Sequence, residues 1–243
     1  MISVQDQSDI IYGVNPAFEV LRAGRRKVRR AWLAAGAADS PRLRKLAEML
    51  AAAGAPVERV NREVVARHCR SPEHQGVALE TAPYPYAPLA ELLAARRLLL
   101  LDNVEDPQNV GAILRSAEVF GWSNVLLANK GAPEIYASVV KASAGATEHL
   151  NICRECTANG YVRQALAAGF QLLALDSKGR DDLTRIAGAR LEKILLVIGG
   201  EHHAVGQYIL NQAQHVVGIP QRGKTTSLNA SVAAGIALFL LGG

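Results

Sequence analysis

GIPQRGKTTSLNAS, residues 218–231, can be read in two ways, and the fold of the whole chain depends on the choice. Gly218, four further residues and then Gly223-Lys224-Thr225 spell G-x-x-x-x-G-K-[ST], the phosphate-cradling loop of nucleoside triphosphatases. The strand-like run HVVGI precedes it and the helix-like run SLNASVAAGIALFLL follows, as such a loop requires. The remaining parts of a triphosphatase are not in place. Magnesium needs an acidic residue at the end of a second strand. The strand-end carboxylates, Asp102 and Asp176, lie upstream and could serve only under a rearranged topology. Pro220 also removes one of the backbone donors on which a phosphate loop depends. The match is therefore read as a coincidence, and the fold has to be sought in the surrounding sequence.

Upstream of residue 218, apolar runs at RLLLLD, NVLLA, HLNIC, FQLLALD and KILLVIGG are bounded by turn residues. With HVVGIP they read as buried parallel strands. Helical stretches such as NVGAILRSAEVFG and YVRQALAAG separate them, which predicts an α/β sheet with helices on both faces. Ligands gather beyond the carboxyl ends of strands in such sheets, so DNVEDPQN, GGEHHAVG and PQRGKTTSLN are the informative loops. TAPYPYAPLAELLAARR, residues 81–97, sets prolines among tyrosines and reads as a linker. It divides a first domain, residues 1–80, from a second, residues 98–243. The first domain alternates as a small α/β unit: helix NPAFEVLRAG with Asn15 as cap, strand KVRRAWLAAG and helix SPRLRKLAEMLAAAG with Ser40 as cap. Strand PVERV, helix NREVVARHC and strand HQGVALE follow.

Hydrophobic residues make up 49% of the 243 and charged residues 20%, which fits a folded globular protein and excludes a disordered one. No apolar run approaches the length of a membrane span, and the first residues lack a basic-then-apolar signal layout. A cytoplasmic, non-membrane protein is expected. Net charge is +5, of which the first 80 residues carry +4. LRAGRRKVRR concentrates Arg22, Arg25, Arg26, Lys27, Arg29 and Arg30, a candidate contact for RNA phosphates; the alternative is a solvated basic loop. Aromatic residues make up only 5%, too few for base stacking to dominate. The three cysteines, Cys69, Cys153 and Cys156, are too sparse for a disulfide framework. Cys153-x-x-Cys156 has no fourth ligand at zinc spacing, so no metal is expected.

Three segments, taken together, carry a resemblance. LDNVEDPQNVGAILRSAEVFG, IGGEH and IPQRGKTTSLNASVAAGIAL resemble the three signature segments of the SpoU (TrmH) family of RNA ribose 2′-O-methyltransferases. Asp102, Asp106, Pro107, Asn109, Gly111, Arg115, Ala117 and Gly121 fall in register with the first segment. Gly199 and Glu201 match the second, and Ile219, Pro220, Gly223, Ser227, Leu228, Asn229, Ser231, Ala233, Gly235 and Ile236 match the third. IYGVNPAFEVL and HQGVALE are similar to the ends of an L30e-like auxiliary domain found in the subgroup that methylates guanosine in 23S ribosomal RNA.

The resemblance implies a C-terminal knotted α/β (SPOUT) domain with a deep trefoil knot, preceded by a small L30e-like α/β domain. It implies S-adenosylmethionine as cofactor, structured RNA as partner rather than DNA, and a homodimer. Arg115, Asn109, Glu201, Ser227 and Asn229 are the catalytic candidates, and Gly199, Ile219 and Leu228 those for the cofactor. Arg115 would hold the target phosphate and stabilise a developing alkoxide, with Glu201 fixing its guanidinium; an arginine is a poor unaided base. Asn109 could equally cap a helix, and Ser227 and Asn229 the last one. Two alternatives stay open, a transfer-RNA methyltransferase and an inactive RNA-binding assembly factor of the same fold. His202-His203-Ala204-Val205 departs from the family's glycine-rich turn.

Overall fold

The computed structural model describes residues 7–35, 40–189, 191–201, 204–224 and 227–242. The chain separates into two units, one made of residues 1–85 and 135–149 and the other of residues 86–134 and 150–243.

The first unit is built on a four-stranded sheet of order β1-β4-β2-β3, with β1 Asp9–Tyr12, β2 Val28–Ala34, β3 Val57–Val60 and β4 Val77–Thr81. β4 runs antiparallel to both neighbours, and β2 pairs parallel with β3. Three helices follow the sequence pattern: α1 Val14–Ala23, α2 Pro41–Ala52 and α3 Arg62–Cys69. The start of α1 differs from expectation. Gly13, at φ 98°, turns the chain as β1 ends, so the helix begins at Val14 and Asn15 lies inside it. The Val14 N–H is met by Gln75 Oε1 at 3.0 Å, a side chain 61 residues away that no local pattern could reveal.

The segment at 135–149 returns to this first unit, a return that a division at residues 81–97 does not contain. Thr147 and Glu148 are buried, and the Thr147 carbonyl accepts from Tyr84 Oη at 2.8 Å. The 81–97 stretch is accordingly more ordered than a linker. Its prolines keep Tyr84 extended and free to bury, while Leu89–Leu92 form a helical turn, α4, with Leu89 and Leu92 in the core of the second unit.

The second unit carries a seven-stranded parallel sheet. Its strands are β5 Arg97–Asp102, β6 Asn124–Leu127, β7 Asn151–Cys153, β8 Gln171–Leu175, β9 Asp181–Asp182, β10 Ile194–Gly199 and β11 His215–Gly218. The order is β7-β6-β5-β10-β8-β11-β9, with every pair parallel, so β10 is inserted between the first strand and β8. β5 and β10 are almost wholly buried, which explains why both read as unbroken apolar runs. Among the helices, α5 Pro107–Val119 and α7 Ala158–Ala167 match the expected stretches, α8 Leu183–Ala187 and α9 Gln207–Gln212 are short, and α10 Ala230–Gly242 closes the unit; α6, Ala137–Ala142, belongs to the segment that returns to the first unit.

α10 is apolar nearly all round, yet its two faces differ. Ala230, Ala234, Ala237, Leu238 and Leu241, spaced as one helical stripe, are buried. Val232 and Phe239 stand on the other side, 50% and 63% exposed. The helix is tied down at its far end, where Trp122 Nε1 donates to the Leu238 carbonyl at 3.1 Å and Arg97 Nη1 to that of Gly242 at 2.7 Å. These bonds occupy carbonyls that a helix end would otherwise leave unpaired.

Candidate active site

Register places the strand ends in one row. Gly199 pairs with Asp102, Ile198 with Leu175, and Leu175 with Val217. Beyond this row lies a cavity of about 350 Å³, within the range of small-molecule and cofactor sites. Its walls come from the end of β8 (Leu175, Asp176, Ser177), the end of β10 (Gly199, Gly200, Glu201), Ala204-Val205, and Ile219 after β11. Ser227, Leu228 and Asn229, just before α10, complete it. All three residues expected to hold a cofactor, Gly199, Ile219 and Leu228, line this one cavity, as do Glu201, Ser227 and Asn229.

Two glycines make the site possible. A Cβ on Gly199 would overlap the backbone of Ala204 and Val205, and one on Gly200 would overlap the carbonyl of Asn103. The end of β10 thus passes between two other loops at backbone contact, which any side chain would prevent. Asp102 adds a polar tie on the same side. Its buried carboxylate accepts from the Gly206 N–H at 3.0 Å, and its carbonyl from Gly200 N–H at 3.1 Å. Burial pushes the Asp102 carboxyl above the usual carboxylate range, and the Gly206 N–H partly offsets this.

Two polar residues that line the cavity, Glu201 and Asn229, are tied to Asn109, which lines the adjoining recess. Asn229 Oδ1 accepts from Ser231 N at 2.9 Å, Ser231 Oγ at 2.6 Å and Val232 N at 3.3 Å, which makes it the cap of α10. That arrangement points its amide nitrogen the other way, where Nδ2 donates to Glu201 Oε1 at 2.5 Å and Asn109 Oδ1 at 3.1 Å. With its Oδ1 so engaged, Asn109 presents its own Nδ2 to Glu201 Oε1 at 3.1 Å. Residues from α5, the β10 loop and the start of α10 are therefore locked by one carboxylate.

One expectation needs correction here. Asn109 does not cap α5; Asp106 does, its side chain accepting from Gln108 N at 3.0 Å. Glu201 holds both asparagines through Oε1. Arg115 is exposed and has no ion pair among the described residues. It sits six residues after Asn109 on α5, which puts it about 120° round the helix and roughly 9 Å along it. It is thus set apart on α5 from the face that Asn109 turns toward Glu201 and Asn229. His202, His203, Thr225 and Thr226 lie outside the described residues. Asp176 and Ser177 line the cavity, although the sequence suggested no role for Ser177 and only a misplaced magnesium role for Asp176.

The basic run of the first unit is split by its environment. Arg26 is buried and cannot meet a phosphate. Its Nε and Nη2 donate to Glu148 Oε2 and Oε1 at 3.0 and 2.8 Å, and its Nη1 to Asp9 Oδ2 at 3.0 Å. The guanidinium lies 4.8 Å from the centre of the Tyr84 ring. Burial pushes the Glu148 carboxyl upward, and the charges of Arg26 and Arg25 oppose that shift. Sequence alone cannot assign this role to Arg26, since its partner comes from 122 residues away. Arg25 is half-buried and donates to the carbonyls of Glu148 and Pro85, both at 3.4 Å. Arg22 pairs with Glu19 and Arg30 with Glu58 on the surface, Lys27 is exposed, and Arg29 is half-buried. The Cys69, Cys153 and Cys156 thiols are all free. No group of three metal-ligating side chains occurs among the described residues. Nor is any helix among them long and apolar enough to cross a membrane.

The family described as SpoU rRNA Methylase matches residues 96–239, and that described as RNA 2′-O ribose methyltransferase substrate binding matches residues 10–87. The chain is 35% identical over 240 residues to an uncharacterized tRNA/rRNA methyltransferase of Mycolicibacterium vanbaalenii, covering 96% of this chain and 76% of the relative. The crystal structure of an AdoMet-bound rRNA methyltransferase from Sinorhizobium meliloti superposes with a TM-score of 0.80 at 26% identity, covering 98% of this chain and 87% of that one. The SpoU methyltransferase AviRb of Streptomyces viridochromogenes, solved in complex with AdoMet, shares the fold with a TM-score of 0.78 at 22% identity, over 98% of this chain and 90% of that one.

Proposed function

Because the chain belongs to the SpoU rRNA methylase family, we propose that it methylates a ribose 2′-hydroxyl in RNA, using S-adenosylmethionine. The observation that carries this reading is the cavity at the ends of β8, β10 and β11, lined by Glu201 and Asn229, which Asn109 ties together. The fit to the cofactor rests on a cavity of about 350 Å³ that sets apolar Leu175, Ile198, Ile219 and Leu228 beside polar Asp176, Ser177, Ser227 and Asn229. Gly199, Ile219 and Leu228 would hold the cofactor, and when bound it supplies an electrophilic methyl group on a sulfonium.

The protein's own task is to orient the hydroxyl and favour loss of its proton. Glu201, already bonded to two amides, positions the wall and keeps the asparagines in one rotamer. Ser227, exposed on the cavity, is placed to meet the ribose. Arg115 acts as a bidentate phosphate clamp that stabilises the developing alkoxide. It reaches the cavity of a second copy in a homodimer. Exposed Val119, one turn from Arg115, and exposed Val232 and Phe239 form an apolar face across α5 and α10 that supports such a pairing.

The backbone passes at Gly199 and Gly200 support the reading of the second unit as a deep trefoil knot. The first unit serves as the L30e-like RNA-binding domain, and the protein works in the cytoplasm. The substrate is 23S ribosomal RNA, at a guanosine, as the auxiliary-domain resemblance suggests. Mapping 2′-O-methyl positions in RNA from cells with and without the protein tests this directly. A lost modification in large-subunit RNA supports it, one lost from transfer RNA moves the target, and no change in any RNA favours an inactive assembly factor.

A further inference from the structure

With Arg26 buried and Arg30 paired with Glu58, the run at residues 22–30 is a weaker grip on RNA than its composition promises. Arg22, although one of its nitrogens bonds Glu19, belongs to a second set of cations shared with α2. On α1, Phe18 and Arg22 are one turn apart, and on α2, Arg42 and Lys45 are likewise on one face. The two helices bring these four side chains, with Pro41, around a single open groove of about 320 Å³. The Phe18 ring, 5% exposed, floors it, with the guanidinium carbons of Arg22 and Arg42 at 5.3 and 5.6 Å from its centre. Asn15 Oδ1 accepts from Arg42 Nη2 at 2.5 Å, which fixes that guanidinium.

Three cations around one groove repel each other, and among the described residues Glu19 is the one carboxylate bonded to any of them. Such crowding is relieved by an anion that lies across all three. Both guanidinium carbons lie within cation–π reach of the ring, and a guanidinium matches the geometry of phosphate oxygens. The floor offers an apolar ring but no hydrogen-bonding groups to read a base.

We propose that the α1–α2 groove of Arg22, Arg42 and Lys45 is a phosphate-backbone subsite for RNA, binding it without regard to base identity. This rests on the reading of the protein as an RNA methyltransferase. The subsite holds the strand while the chemistry is done in the second unit, so it contributes to RNA affinity and not to turnover at saturation.

The test compares two charge-matched double variants of the full-length protein. One is Arg42→Gln/Lys45→Gln in the groove; the other is Arg62→Gln/Arg67→Gln on α3, exposed in the same unit and outside the groove. Binding to a large-subunit rRNA fragment is measured across a salt series, alongside cofactor affinity, melting temperature and methyl transfer. The groove variant is expected to bind RNA about 10-fold more weakly at 0.1 M salt, with the slope of log K against log salt reduced by about 1.5. Its KM for RNA rises, while its kcat, cofactor affinity and melting temperature stay at the parent's values. The α3 variant keeps the parent's affinity and slope. Equal losses in both variants would reduce the effect to bulk charge and overturn the proposal, as would an unchanged slope in the groove variant. Failure of the parent itself to bind or methylate any RNA would instead bring down the underlying reading.

Discussion

Asn229 and Glu201 are joined by a 2.5 Å amide–carboxylate hydrogen bond, and the same asparagine caps α10 through its other atom. Structure and chemistry can therefore be separated at this position. Asn229→Ser retains a capping oxygen but lacks the amide donor, so its melting temperature should stay near the parent's. Methyl transfer should fall about 10- to 100-fold, the worth of one hydrogen bond to a charged group. Asn229→Ala should lose the activity and about 1 kcal/mol of stability as well. Steady-state kinetics beside thermal melts read the difference.

Gly200 and Gly223 make a second contrast. A Cβ at Gly200 would run into the Asn103 carbonyl, while one at Gly223 meets open space. Gly200→Ala should destabilise the protein by roughly 2 kcal/mol or more and abolish cofactor binding. Gly223→Ala should change neither. Titration calorimetry with S-adenosylmethionine and a denaturation curve check both.

Arg115 and Asn229 allow complementation. If Arg115 works in the cavity of a second copy, Arg115→Ala and Asn229→Ala should each be nearly inactive alone. Mixed and allowed to exchange subunits, they should recover activity, because one site of each heterodimer has both residues intact. Lys224→Ala should leave transfer close to the parent's, since the phosphate-loop reading of residues 218–231 gives it a role that the cavity does not.

The buried pair of Arg26 and Glu148 should behave as an all-or-nothing unit. Arg26→Met leaves a buried carboxylate alone and should cost about 3–5 kcal/mol. Arg26→Met with Glu148→Leu should restore much of that loss. Chemical denaturation followed by tryptophan fluorescence is a suitable readout, as Trp32 is buried in this unit.

His74 supplies a pH signature. Its buried ring accepts from the Gly76 N–H through Nδ1 at 3.0 Å, which requires the neutral form. Burial, with Arg62 and Lys141 nearby, holds its pKa below the ordinary value of about 6.5. The folded state then binds fewer protons than the unfolded one below about pH 6.5, so this contribution to stability is full above that pH. It is lost as pH falls toward the folded value. His74→Asn, which keeps an acceptor, should flatten the decline below about pH 6.5 in pH-dependent denaturation.

Much of this was legible in the sequence because it depends on local pattern. The six apolar runs became the six main strands of the parallel sheet, and the cofactor candidates Gly199, Ile219 and Leu228 line one cavity. What escaped involves partners far apart in the chain. Arg26 reads as an RNA contact until Glu148 is seen beside it, and Asn15 reads as a cap until Gly13 and Gln75 displace it. Glu201 holds Asn109 and Asn229, and spacing cannot show that two asparagines so far apart in the chain meet at its carboxylate. The stretch at 81–97 looked loose because its prolines exclude regular pairing, yet they do not prevent Tyr84, Leu89 and Leu92 from burying.

The central claim is transfer to the ribose rather than to a base, and the chemistry of RNA itself can report it. RNA methylated by the protein with methyl-labelled S-adenosylmethionine is hydrolysed in alkali, which cuts only where a free 2′-hydroxyl can attack the adjacent phosphate. The account predicts label in alkali-resistant dinucleotides, absent with Asn229→Ala. Label released in mononucleotides would place the methyl group on a base and contradict it.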